Sequence, residues 1–251
     1  MTDTPAQGIR ARNRAALEEE ILAVATRHLA RSGAAALSLR AVARDLGLAP
    51  SALYRYVASR DDLLTLLIVR AYNELGDAVD AALAAVDDGV DTPAATAARA
   101  EARFRAITSA LWQWARAHPH QYALIYGSPV PEYHAPAERT TPAGTRVQAH
   151  LLTVLRGLAC SDAGAQTDEA GPAATAAVAT RALASLLDDP LVRSAGLPPT
   201  LLLRGLGAWN LVLGTVGCIL FEQLGPDVPD DPDAYVTATT DLALELVRAP
   251  R

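Results

Sequence analysis

The chain has 251 residues, 51% of them apolar but only 5% aromatic, and carries no lysine and a net charge of −6. The protein as a whole is therefore not a polycation, and the alanine- and leucine-rich balance favours helices over strands. The charge is uneven, because residues 1–60 hold nine arginines against five acids while the remainder holds 13 against 23. A basic head on an acidic body points to a polyanionic partner for the head alone.

Cys160 and Cys218 are the only cysteines, and their spacing suits neither a disulfide framework nor a zinc site. The N-terminal stretch MTDTPAQGIRARNRAALEEE has no apolar run, so no secretory signal is expected and a reducing, cytoplasmic setting is.

In chain order, residues 1–13 read as a flexible arm holding Arg10 and Arg12. A helix is predicted over 13–32, where Leu17, Ile21, Val24, Ala25 and Leu29 recur at helical spacing and Gly33 ends the run. Ser38 is a good N-cap for a helix over 39–46, with Leu39, Val42, Ala43 and Leu46 inward and Arg40 and Arg44 outward. Gly47 is placed to end it in the left-handed conformation. Pro50 opens a short helix over 50–57 that buries Leu53 and Val57. Ser59 and Asp62 read as a capping box for a long helix over 60–86.

Residues 87–93 are a predicted turn, followed by a helix over 94–117 that His118-Pro119 breaks. Further helices are expected over 121–126, 143–159, 173–188, 199–224 and 233–248. A loop with four prolines covers 127–142, and a polar, glycine-rich, mobile segment covers 160–172. The expected fold class is all-α with nine or ten helices and neither strand pattern nor internal repeat.

The pair 39–46 and 50–57 is two short helices joined by a glycine turn, the pattern of a helix-turn-helix. On the second, Ser51 and Arg55 form one outward column and Ala52 and Tyr56 the next. A hydroxyl, a methyl, a guanidinium and a phenol suit base edges, thymine methyls and phosphates.

The stretch "SLRAVARDLGLAPSALYRYVASRDDLL", with "ILAVATRHLARSGAAAL" before it, resembles the N-terminal domain of the tetracycline-repressor (TetR) family of transcription regulators. The resemblance covers about residues 14–68. It implies a helix-turn-helix DNA-binding domain over 1–62 and a helical ligand-binding and dimerisation domain over 63–251. It places Arg40 near the groove, Ser51, Ala52, Arg55 and Tyr56 on recognition positions, and Tyr54 and Arg60 on phosphates. Ser38 caps its helix and donates to the DNA backbone.

The body resembles the family's WHG-type C-terminal variant, on "GAWNLVLGTVGCILFEQLG" and "HPHQYALIYGSPVPEY". That resemblance implies a pocket for a small effector. Phe104, Trp112, Trp114, Tyr122, Tyr126, Trp209, Leu213 and Cys218 are the candidate ligand residues. It also implies a homodimer through the last two helices. Leu206, Asn210, Leu213, Gly217, Leu220, Tyr235, Leu242 and Leu246 are the candidate interface residues.

The expected function is a regulator, a repressor released from a palindromic double-stranded operator by a small apolar molecule. No catalytic residue, metal or cofactor is expected. His118 and His120 lack acidic or cysteine partners nearby. The alternatives are a helical carrier or enzyme without operator binding, and a membrane-associated protein through residues 205–221. No paired carboxylates, nucleophile motif or phosphate loop supports the enzyme. The membrane segment is at the short limit for a span, so no membrane is expected.

Overall fold

A computed structural model describes residues 5–86, 93–162 and 173–248. Among the described residues there are thirteen α-helices, one 3-10 turn (Ala34–Ala36) and no strand. The all-α expectation is met. The helices are α1 (Pro5–Ser32), α2 (Leu39–Asp45), α3 (Pro50–Leu53), α4 (Arg60–Ala84), α5 (Pro93–Ala117), α6 (Pro119–Tyr126) and α7 (Ala137–Gly144). They continue with α8 (Arg146–Asp162), α9 (Ala173–Ala182), α10 (Ala184–Leu187), α11 (Pro190–Ala195), α12 (Pro199–Leu220) and α13 (Pro232–Val247).

Several boundaries differ from the sequence reading, each for a local reason. The expected arm is helical from Pro5, because a proline at the first turn leads into alanines and arginines that favour helix. The proline-rich loop shortens to 127–136, since α7 tolerates Pro142 two residues before its end. Two helices were not anticipated, α7 within that loop and α11. In α11, Asp189 accepts from the N–H groups of Leu191 (2.8 Å) and Val192 (3.4 Å), Pro190 opens the first turn, and Gly196 closes it at φ 65°. All three signals stand in the stretch DPLVRSAG. The turn expected at 87–93 and the segment expected to be mobile at 160–172 lie mostly outside the described residues.

The chain forms two compact units. The first comprises Met1–Asn73 with His118–Ala143, the second Glu74–Ala117 with Gly144–Arg251. The division expected at 62/63 falls inside the first unit, because Leu63, Leu64 and Leu67 of α4 are buried in the same core as Ile21, Ala25, Val42, Leu53 and Val57. Leu124, Val130 and Tyr133 pack on that core from the 118–143 segment. There the Thr65 and Tyr133 hydroxyls share a 2.9 Å hydrogen bond.

In the second unit α5 packs on α8 and on α13, and α12 packs on α13, α9, α5 and α8. Arg105 reaches Asp241 at 3.0 Å and Arg116 reaches Asp233 at 2.8 Å, joining α5 to α13. Arg146 of α8 bridges Asp77 (2.8 Å) and Asp80 (2.6 Å), and His150 contacts Asp80 at 2.6 Å. Gly76 makes room for this cluster, since a Cβ there would lie 2.7 Å from the Arg146 guanidinium carbon.

Candidate functional site

The nucleic-acid face is built on the α2–α3 turn of the first unit. Gly47 takes φ 67°, its N–H donates to the Arg44 carbonyl (3.0 Å), and the Leu48 N–H donates to the Ala43 carbonyl (2.9 Å). This double bond is a Schellman stop, and it turns the chain from one helix to the next within four residues. Pro50 then opens α3, which is regular only to Leu53. It continues as a helical turn, with Tyr54 N–H on the Pro50 carbonyl (3.1 Å) and Val57 N–H on the Leu53 carbonyl (3.1 Å). Leu53 and Val57 anchor the segment in the core at 1% and 2% exposure.

The opposite side is open. Ser51 and Arg55 are exposed, Tyr54 is 51% exposed, and Ser38, Arg40 and Arg44 flank them in solvent. Ala52 and Tyr56 are half-buried, and Arg14 of α1 lies over the Tyr56 ring at 5.7 Å. Arg40 and Arg55 form no ion pair among the described residues, whereas Arg31 and Arg44 both neighbour Asp45. Asp45 also takes a 2.8 Å contact from His28, which together with Arg31 and Arg44 holds its carboxyl below the ordinary range.

Two expected roles have a different local basis. Ser38 occupies the N-cap position of α2 in an extended conformation, but its side chain makes no cap bond. Arg60 is already engaged: its Nη2 donates to the Ala34 and Ala35 carbonyls (3.0 and 3.1 Å), and Nη1 to Asp61 (3.3 Å). The Ser59–Asp62 box forms in altered shape. Asp62 N–H donates to Ser59 Oγ (3.0 Å), but Asp62 Oδ2 accepts from Ala58 N–H (2.9 Å) while Oδ1 accepts from Arg139 (2.6 Å). Desolvation opposes ionisation of Asp62, yet the bonds from Arg139 and Ala58 prevail and hold its carboxyl below the ordinary value.

The second candidate site is a cavity of about 170 Å³ in the second unit, between α5, α8, α11 and α12. Phe104 and Trp209 line it, with Gln148, Leu151, Leu152, Leu155 and Leu158 along α8 and Leu191, Val192, Leu202 and Gly205 around them. The α8 positions recur at three- and four-residue spacing, a signal present in RVQAHLLTVLRGL that aromatic-led reasoning missed. Gly205 lets α12 approach α8, since a Cβ there would lie 2.5 Å from Leu155 Cδ1. The Gln148 Oε1 is buried without a hydrogen-bond partner.

The other pocket candidates stand elsewhere. Trp112 lines a larger groove between α5 and α13, where its Nε1 donates to Asp233 at 2.6 Å; that bond and Arg116 hold the Asp233 carboxyl below its ordinary range. The groove's Arg105 and Arg116 are already paired with Asp241 and Asp233, so it is a solvated polar surface. Trp114 is buried at 6% exposure against other α5 and α4 residues. Tyr122 and Tyr126 belong to the first unit, in a ring cluster with Tyr72, and burial pushes the Tyr126 phenol well up. Leu213 and Cys218 are half-buried on α12 and do not line the cavity. Among the described residues no group of His, Cys, Asp or Glu is arranged to hold a metal.

On α12 the buried residues Leu202, Ala208, Trp209, Val212, Thr215 and Val216 share one side. Leu203, Leu206, Asn210, Leu211 and Gly214 are exposed on the other, and Leu213, Gly217 and Leu220 are half-buried at its edges. On α13, Tyr235, Leu242 and Leu246 lie on one exposed line. The structure thus leaves an uncovered apolar face along the two helices. Among the described residues α12 alone is long and apolar enough to cross a membrane, with 33% of its apolar window buried within the chain.

A helix-turn-helix whose Arg40 and Arg55 form no ion pair among the described residues, in one chain with a helical unit that holds an apolar pocket, is an arrangement that suits a DNA-binding transcriptional regulator. Comparison with known proteins agrees: the model for bacterial regulatory proteins of the tetR family matches residues 21–67, and the tetracyclin repressor-like C-terminal domain matches 104–243. The chain is 37% identical over 250 residues to the HTH-type transcriptional regulators Rv1816 of Mycobacterium tuberculosis and Mb1846 of Mycobacterium bovis, covering 98% of this chain and 99% of each of those proteins. Among solved structures, the putative regulatory protein SCO4313 superposes with a TM-score of 0.70 at 28% identity, covering 94% of this chain and 98% of that one. The TetR family regulator PfmR of Thermus thermophilus shares the fold, with a TM-score of 0.52 at 16% identity over 92% of this chain and 99% of that one. The chain belongs to the TetR family, and it is a DNA-binding regulator of transcription rather than an enzyme.

Proposed function

We propose that this regulator is a cytoplasmic repressor that binds a palindromic operator as a homodimer and leaves it when a small apolar effector enters the cavity at Phe104 and Trp209. The observation that carries the ligand response is the cavity itself. It is apolar-walled, partly open to solvent and about 170 Å³ in volume, and a concave apolar pocket of this kind supports a small-molecule occupant. An effector that prefers one spacing of the two reading heads weakens operator binding by that difference in affinity.

On DNA, Arg40 and Arg55 are proposed to read base edges from the major groove, and Ser51 and Ala52 to set local fit. Tyr54 and Ser38 contact phosphates. Tyr56 sits at the edge of the face, steadied by Arg14. Arg60 fixes the carbonyls of the turn that leads into Ser38. The homodimer is proposed to cover the exposed face of Leu206, Asn210, Leu242, Leu246 and Tyr235, with Leu213, Gly217 and Leu220 at its rim. An apolar patch of this extent is otherwise rare on a soluble monomer. The same burial accounts for α12 without a membrane.

The test is selection of duplexes from a random pool by the full-length protein, followed by titration of variants. An inverted repeat with half-sites about one or more helical turns (~34–36 Å) apart is expected. Arg55→Ala is expected to relax base discrimination by roughly 1–3 kcal/mol at one position of each half-site. Duplexes without two-fold symmetry, or an Arg55→Ala variant with unchanged sequence preference, would refute the assignment.

A further inference from the structure

We infer that α1 supplies a phosphate clamp outside the helix-turn-helix: Arg14, with Asn13 beside it, holds a backbone phosphate of the duplex that the helix-turn-helix reads. This rests on the reading of α3 and the turn that continues it as the DNA-facing segment, and extends the contact surface onto a further helix.

The site is an open crevice of about 360 Å³ within the first unit, lined by Asn13, Arg14 and Leu17 of α1 and by Arg55 and Tyr56 of the turn that continues α3. Asn13, Arg14 and Leu17 share one side of α1, because residues three and four apart on a helix are neighbours. Leu17 and Tyr56 are half-buried and pack on the core, so they form a fixed floor. Asn13, Arg14 and Arg55 are exposed and form the rim. Each rim group carries N–H donors, two of them on guanidiniums, and no carboxylate is among the described lining residues. Such a rim accepts an anion.

Arg14 is held in place for that contact. Its Nε donates to Glu18 Oε1 at 2.9 Å, and its guanidinium lies 5.7 Å from the centre of the Tyr56 ring. Its two terminal nitrogens make no hydrogen bond among the described residues, so they are left to donate. The fold gains little from the arrangement. From residue 12 to residue 20 every side chain is exposed except the half-buried Leu17. The better order for a helical ion pair places the acid four residues before the base, and here Arg14 precedes Glu18. A duplex beside α3 presents its phosphates next to the groove being read, and arginine pairs with phosphate through two parallel bonds.

The experiment uses the full-length protein with its selected operator and a scrambled duplex, titrated at several salt concentrations. The Arg14 side chain is 64% exposed, so its variants are expected to keep the wild-type helix content by circular dichroism. For each protomer bound, Arg14→Ala is expected to weaken binding about tenfold on both duplexes alike. It should also lower the slope of log affinity against log salt by about 0.9, the share of one phosphate. Asn13→Ala removes a neutral donor, and is expected to weaken binding about threefold with the slope unchanged. Methylphosphonate substitution neutralises one phosphate at a time. In each half-site it is expected to find a position that weakens wild type about tenfold and Arg14→Ala less than about twofold. The inference is overturned if the Arg14→Ala slope is unchanged, or if no such position exists. It is also overturned if the loss is confined to one base pair, the result for a side chain that only steadies Tyr56. Failure of the wider reading looks different. Selected duplexes without two-fold symmetry, bound with a slope that Arg14→Ala lowers, remove the palindrome and keep the clamp. A two-fold operator with an unchanged slope removes the clamp alone.

Discussion

Replacing Asp62 by alanine removes two bonds at once. The side chain of Asp62 receives the Ala58 N–H at 2.9 Å on one oxygen and the Arg139 guanidinium at 2.6 Å on the other. Loss of the first leaves the Ala58 N–H, just before the helix, without its acceptor, about 1 kcal/mol. The second is charge-assisted but partly solvated, with the Arg139 side chain 40% exposed and that of Asp62 22%, so it contributes about 0.5–1 kcal/mol. Asp62→Ala is expected to cost about 1.5–2 kcal/mol and Arg139→Ala about 0.5–1 kcal/mol. The double variant should fall short of their sum by the energy of the pair, about 0.5–1 kcal/mol.

The assay is urea unfolding at one fixed protein concentration, since the stability of the proposed homodimer would depend on it. The same pair sets a pH dependence. The folded-state value of Asp62 lies below its ordinary 3.8, so its contribution is complete above 3.8 and is lost as pH falls through the lowered folded value. The gap between wild type and Asp62→Asn should therefore be constant above about pH 5 and close in stronger acid. Additive single variants, or a gap that widens on acidification, would refute this account of how α4 is fastened at its start.

Three further outcomes follow from particular positions. Gly47→Ala is expected to cost about 1 kcal/mol by urea unfolding, from left-handed backbone strain alone, since no atom lies within 4 Å of the added Cβ; Gly47→Asn should recover part of it. Gly76→Ala moves the Arg146 guanidinium off Asp77 and Asp80, so in wild type it should gain less than the up to about 1 kcal/mol that helix propensity gives the same change in Arg146→Ala. Leu242→Glu, at a residue 57% exposed within one chain, should shift sedimentation from dimer toward monomer and leave the helix content by circular dichroism unchanged.

Much of the reading unit was legible because its signals are local. Gly47, Pro50 and the spacing of Leu39, Val42, Leu53 and Val57 specify the turn and both flanking helices through short-range sterics and burial. The exposure of Ser51 and Arg55 followed from the same periodicity, whereas Ala52 and Tyr56, read as outward, are half-buried, and that of Tyr54 did not follow from it. The stop of α3 at Leu53 and the start of α1 at Pro5 did not follow, since helix ends depend on a turn's closing bonds more than on composition.

The body was less legible, because aromatic content is a poor guide to where space remains. Of the eight ligand candidates only Phe104 and Trp209 line the cavity; Tyr122 and Tyr126 fold into the other unit, and Trp112 binds Asp233. The sequence by itself determined the helical class, the helix-turn-helix and the apolar stripe of α12, all of which are written in neighbours a few residues apart. Only the tertiary structure decided that Arg60 is occupied by Ala34 and Ala35, that Asp62 is held by Arg139, and that an apolar pocket opens between α5, α8, α11 and α12. Those are properties of side chains distant in sequence and of the gaps between them, and no local pattern encodes a gap.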